Sequence, residues 1–194
     1  QGRALADTVL GDGNATVSIM ALQDAYGTGL ADQVEKNVTA ANGEVLDKIV
    51  YDPKAANYAT EVSEVRGSDP EAIVLIGFDE TKKIIPELVK QGIGPADKKI
   101  YLVDGNLSDF SQDFDPGTMG PNVKGTPPGV AATDELKKKL ATVDDKLKDW
   151  SYAAESYDGV ILMALAAIAA GSDAGPLIPK ELVHVSRGGE KCES

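Results

Sequence analysis

The 194-residue chain carries 19 Lys and Arg against 31 Asp and Glu, a formal net charge of −12. That excess argues against duplex nucleic acid and anionic membrane surfaces as main partners, because both need a basic face. One cysteine, Cys192, and one histidine, His184, leave no material for an internal disulfide or a zinc-type cluster.

Gln1-Gly2-Arg3 shows neither an initiator Met nor an apolar signal core. Residues 16–22, Thr-Val-Ser-Ile-Met-Ala-Leu, are β-branched and apolar, and predict a buried strand. Beyond Gly27, Leu30, Val34 and Val38 recur every four residues, which is helical spacing, and Asn42-Gly43 supplies the stop. A second strand follows at 45–51 and a helix at 58–65. Residues 72–76, Ala-Ile-Val-Leu-Ile, are apolar on both faces, as only a central parallel strand needs to be. A helix over 80–90 and a fourth strand over 99–103 complete a βαβαβαβ series. The expected fold is therefore α/β, an open parallel sheet flanked by helices on both faces.

Residues 110–129 are rich in Gly, Pro and Asp, with Val123–Thr126 as a short fifth strand. Residues 137–147 predict a polar surface helix, and 151–170 a long helix apolar on nearly all sides, hence central to the packing. The apolar run at 160–170 falls short of the roughly 20 residues that span a bilayer. A short helix around Glu181 ends the series. The last residues, 188–194, read like a loop cut in the middle. The chain is accordingly expected to be a fragment, a single lobe over 1–194, with Cys192 either unpaired or paired beyond the end.

In open α/β sheets, ligands bind outside the carboxyl ends of the strands. The loops there are 23–29, 77–80 and 104–108, each joining an acid to a glycine, and two of them contribute an aromatic. Tyr26-Gly27-Thr28-Gly29 lacks the three-glycine dinucleotide spacing, and no Gly-Lys-Ser/Thr phosphate loop occurs. Acidic loops favour a cationic ligand end, with an aromatic ring against it. The competing reading is that Asp24, Asp79 and Ser108 cap helices. Capping is favoured for Asp79, and a site for Asp104, because Gly105-Asn106 follow it with no helical period. Tyr26 stays open between ligand contact and packing.

Weaker constellations point to no chemistry. Glu61, Glu64, Asp69 and Glu71 read as a solvated face. Asp109, Asp113 and Asp115 lack the turn glycine and bidentate Glu of a calcium loop, so no metal is expected. His184 has no nucleophile–acid context, so no catalytic role is expected. No cofactor is implied.

Thr16-Val17-Ser18-Ile19-Met20 followed by Asp24-Ala25-Tyr26-Gly27-Thr28-Gly29-Leu30 resembles the strand, loop and helix opening the C-terminal lobe of type I periplasmic binding proteins. These are receptors of branched-chain amino acid ABC transporters and their relatives. Asn42-Gly43, Asn57-Tyr58-Ala59-Thr60, Ser68-Asp69-Pro70-Glu71-Ala72, Gln91-Gly92 and Tyr157-Asp158-Gly159 continue the resemblance in order, over roughly residues 2–170. The resemblance implies one lobe of a two-lobe fold, with the N-terminal lobe missing. It implies an extracytoplasmic, non-enzymatic receptor that binds a small solute, an amino acid or another amine-bearing compound, and presents it to ABC permease subunits. The family's loop tyrosine falls on Tyr26, the aromatic after the third strand on Phe78, and the carboxylate pairing with a ligand ammonium on Asp104. Asp is one methylene shorter than the Glu often found there. The alternative is a ligand-sensing effector domain of a regulator or receptor with the same fold.

Overall fold

The computed structural model describes residues 1–127, 129–147 and 149–187. Cys192 lies outside them. The chain divides into two compact units, Gln1–Pro127 and Pro128–Ser194.

The first unit runs α1 (Gly2–Gly11), β1 (Thr16–Leu22), α2 (Ala25–Ala40), β2 (Glu44–Tyr51), α3 (Ala59–Ser68), β3 (Ala72–Ile76), α4 (Thr81–Lys90), β4 (Lys99–Val103) and β5 (Val123–Thr126). All five strands are parallel, in the order β2-β1-β3-β4-β5. The four main predicted strands stand where their apolar runs place them, within one residue. Every residue of β3 is buried, because helices cover both of its faces: α1 and α2 pack together on one, α3 and α4 on the other. The edge strand β2 instead leaves Val50 44% exposed.

Helix α1 has no counterpart in the sequence reading. Its buried residues Gly2, Leu5, Ala6 and Val9 make one helical face. Gly2 allows its close approach to α2, since a Cβ there would stand 2.6 Å from Gln33 Cβ. Beyond its end, Asp12 accepts from Lys124 Nζ at 2.7 Å and from the Tyr101 hydroxyl at 2.7 Å. Asn14, buried, donates to that same hydroxyl and to the Val9 carbonyl. The group reading as a solvated acidic face is partly structural: Glu71 accepts from the Ala15 and Thr16 amides at the start of β1. Asp69 ends α3 in the left-handed region (φ 51°) and pairs with Lys98 at 2.6 Å.

The second unit holds α5 (Asp134–Ala141), α6 (Ala153–Ala170) and α7 (Ile178–Val185). Helix α5 starts earlier than predicted, because the Thr133 hydroxyl caps the Leu136 amide at 3.2 Å, and it stops at Ala141. The expectation that the long apolar helix is central is corrected: in α6 only Ala166 is buried, while Val160 and Ile168 are 60% and 76% exposed. Within this unit α6 packs mainly on α7. By length and composition alone α6, 18 residues of mean hydropathy 1.4, would pass as a membrane span, contrary to the reading of the shorter apolar run within it.

The hydrogen bonds from Lys124 and then Tyr101 hold the Asp12 carboxyl below its ordinary pKa. A depressed folded-state pKa gives stability that is present above the unfolded value, about 4, and lost as pH falls below it. Asp12→Asn is therefore expected to lower the urea midpoint at pH 7. The gap from wild type should shrink as pH falls through the depressed folded-state pKa, below which both carry a neutral side chain.

Candidate functional site

The strand order places the switch point of the sheet between β1 and β3, where successive connections leave in opposite directions and open a crevice at the carboxyl edge. Asp24 closes β1 and caps α2, accepting from the Gly27 amide at 2.6 Å, so its capping reading holds. Gly27 has to be glycine, because a Cβ would lie 2.2 Å from the Leu22 carbonyl oxygen. This tight turn sets Tyr26 on the first turn of α2, half-buried against the core.

Across the switch point, β3 is followed by Gly77-Phe78. The Phe78 ring is 45% exposed and stacks on Tyr26, centroids 5.4 Å apart and planes 30° from parallel. The Phe78 amide donates to Glu80 Oε1 at 3.0 Å. The Tyr51 hydroxyl, from the end of β2, lies 2.9 Å from that oxygen and from the Ile76 carbonyl. Burial, and next the Glu80 carboxylate, push the Tyr51 hydroxyl well above its ordinary pKa, so it stays protonated as a donor. A Cβ at Gly77 would meet the Tyr51 hydroxyl at 2.3 Å, which is why the loop opens on glycine.

Asp79 does not cap α4, which corrects the sequence reading. Its side chain is 98% exposed and stands 3.6 Å from Lys82. Glu80 takes the N-cap position without a side-chain cap bond and turns its carboxylate back to the loop. Ser108 caps nothing either, since no helix forms between β4 and β5.

Asp104 follows β4, half-buried, and accepts from the Tyr26 hydroxyl at 2.8 Å through Oδ1. The same oxygen accepts from Gln1 Nε2 at 2.7 Å. Tyr26, Phe78 and Asp104, drawn from three loops, thus make one continuous cluster. Gly105 lets the Phe78 ring lie against the backbone: a Cβ there would be 2.7 Å from Phe78 Cε1. Beneath it Asn106 is buried, accepting from the Val103 amide at 2.8 Å and donating to the Leu75 carbonyl and Thr81 hydroxyl, each at 3.0 Å. One side chain ties the ends of β3 and β4 to the start of α4.

Sequence reasoning did not identify Gln1, Tyr51, Glu80 and Asn106 as parts of this arrangement. The signal for Asn106 is its place after Gly105, and for Tyr51 its position closing a strand. A separate cavity of about 420 Å³ lies under the 107–119 segment, lined by Leu102, Phe110, Phe114 and Met119, and the three clustered residues do not line it. Asp113 pairs with Lys82 at 3.2 Å and Asp109 accepts from the Ser111 amide. Among the described residues no group of three or more His, Cys, Asp or Glu could hold a metal ion.

The periplasmic binding protein family model matches residues 1–182. The chain belongs to the periplasmic binding protein family. The family is non-enzymatic and typically periplasmic. No curated protein matches the chain. Among solved structures, a leucine-binding protein from Thermotoga maritima is 22% identical, with a TM-score of 0.74 over 94% of this chain and 53% of its own. A type 1 periplasmic binding protein from Bordetella pertussis is 15% identical, TM-score 0.76, covering 93% and 52%. A solute-binding protein of an ABC transporter from Rhodopseudomonas palustris, in complex with 4-hydroxybenzoate, is 14% identical, TM-score 0.74, covering 94% and 51%. The chain spans about half the length of these proteins, and at such identities the likeness is one of fold.

Because Asn106 satisfies a buried amide and a buried carbonyl together, Asn106→Ala is expected to destabilise the first unit by about 2–4 kcal/mol, the scale of leaving such groups unpaired. Equilibrium denaturation in urea measures it, and a loss below about 0.5 kcal/mol would contradict the tie described here.

Proposed function

We propose that the chain contributes an α/β lobe to a two-lobe, extracytoplasmic solute-binding protein, which delivers a small amine-bearing solute such as an amino acid to the membrane subunits of an ABC importer. The observation that carries this reading is the cluster of Tyr26, Phe78 and Asp104 at the switch point, with the Tyr26 hydroxyl on the Asp104 carboxylate at 2.8 Å. Family membership and the leucine-binding protein among the structural relatives support it.

In this reading the Asp104 carboxylate takes a charge-assisted hydrogen bond from the ligand ammonium. Tyr26 orients the carboxylate, and the exposed Phe78 ring covers the ammonium or the adjoining apolar group. Closure of a second lobe removes water from the pair and strengthens it. No covalent step is involved.

A second reading takes the stacked Tyr26 and Phe78 rings as a platform for an aromatic acid, as relatives in complex with 4-hydroxybenzoate and benzoate suggest. It places an anion near Asp104, which is unfavourable unless the ligand carboxylate points to the other lobe.

The variant Asp104→Asn in the full-length protein separates the two. Calorimetric titration with a panel of amino acids and with benzoate is the measurement. Loss of about 2–5 kcal/mol of amino-acid affinity, with an unchanged thermal midpoint, is expected for a desolvated charge pair. Unchanged affinity would reduce Asp104 to a turn residue, and a gain for benzoate would favour the aromatic-acid reading.

A further inference from the structure

Gln1 stands at the N-cap of α1, and its main-chain carbonyl accepts from the Leu5 amide at 2.9 Å. An N-cap side chain ordinarily serves its own helix. This one makes no cap bond. Its Nε2 reaches Asp104 Oδ1 at 2.7 Å and the Thr126 carbonyl at 2.8 Å. We propose that Gln1 is a positioning residue of the candidate site, whose side-chain amide clamps the Asp104 carboxylate to the end of β5 and presents it to the ligand. The proposal rests on Asp104 being the ligand's electrostatic partner.

A primary amide carries two N–H donors, and here both acceptors lie on the one nitrogen. An ionised Glu offers no donor, and a Met has none; an amide supplies both donors without adding a charge. Thr126 pairs with Val103 at the last step of the β4–β5 ladder, and Asp104 is the next residue. Gln1 therefore bridges two adjacent strand ends where main-chain pairing stops. Gln1 itself is exposed, so burial does not hold it there; two acceptors do.

The location matters because Asp104 precedes Gly105, which offers no side chain of its own to restrain the turn. Tyr26 and Gln1 donate to the same oxygen. Both donors are neutral, so what they contribute is direction and not a countercharge. Fixing it before the ligand arrives removes part of the ordering cost of binding.

Two measurements on the full-length protein test this. The first needs no ligand: the Asp104 carboxyl is titrated by carbon NMR in wild type and in Gln1→Met, which keeps the length but loses both donors. Losing a donor to the ionised form should raise its pKa; an unmoved titration overturns the clamp. The second is calorimetry with L-leucine, where Gln1→Met should bind roughly tenfold more weakly at an unchanged thermal midpoint. Equal affinity overturns the positioning role. Gln1→Lys, which places a cation on the carboxylate, should lower the Asp104 pKa and abolish leucine binding, and an unaltered variant counts against the proposal. If the wild type takes up no amine-bearing solute, the reading of function fails, while the NMR titration still decides whether Gln1 holds Asp104.

Discussion

Parallel pairing is the constraint from which the rest of this molecule follows. With all five strands running the same way, every carboxyl end falls on one edge, and each connection has to cross a face to return. Right-handed crossovers then send α2 toward β2 on one side of β1, while α4 leads from β3 to β4 on the other. The two neighbouring strands β1 and β3 part company at their ends, and the crevice between their loops is a topological result. Tyr26 and Phe78 stand on its two sides, which is why residues 52 positions apart in sequence can stack.

What turns that crevice into a defined surface is a layer of groups that cannot move independently. Glu80 gathers the Phe78 amide and the Tyr51 hydroxyl on one carboxylate oxygen, linking the loop after β3 to the edge strand β2. Gly77 and Gly105 stand where any Cβ would strike Tyr51 or Phe78. Asn106 fixes the strand ends below. Each of these contacts constrains the next, so the exposed face of Phe78 is held from behind by its ring contacts and its own amide. A surface built this way has little conformational freedom left to lose.

Much of this was legible in the sequence, and the limits are physical. Buried parallel strands are apolar on both faces, so 72–76 announced itself, and loops following such strands pointed to Tyr26, Phe78 and Asp104 as neighbours. Helix α1 was missed although Leu5, Ala6 and Val9 fit a helical face, because two of its ten residues are terminal glycines and the buried stripe is short. The Gln1–Asp104 contact spans 103 residues and leaves no periodic trace. Asp79 and Glu80 are adjacent acids at a helix start, and nothing local says which turns inward; the Tyr51 hydroxyl, 29 residues away, settles it. For α6 the inference from composition failed differently. Apolarity on all sides predicts burial only where a layer exists to do the burying, and among the described residues of this unit α6 meets chiefly α7, with Lys139 of α5 on Tyr157.

Charge placement completes the chemistry of the crevice. In the first unit Lys48 pairs with Asp32 and Glu35, Lys82 with Asp113, Lys98 with Asp69 and Lys124 with Asp12. These cations are engaged on helix faces and strand starts, whereas the two donors identified on Asp104 Oδ1, Tyr26 and Gln1, are neutral. The net charge of −12 adds a background of negative sign around the crevice. An approaching monoanion such as benzoate meets that background unfavourably, while a zwitterionic amino acid carries no net charge to be repelled and can turn its ammonium inward. In the proposed reading the electrostatics would discriminate by ligand orientation as well as by ligand charge, with the aromatic pair setting which end lies against Asp104.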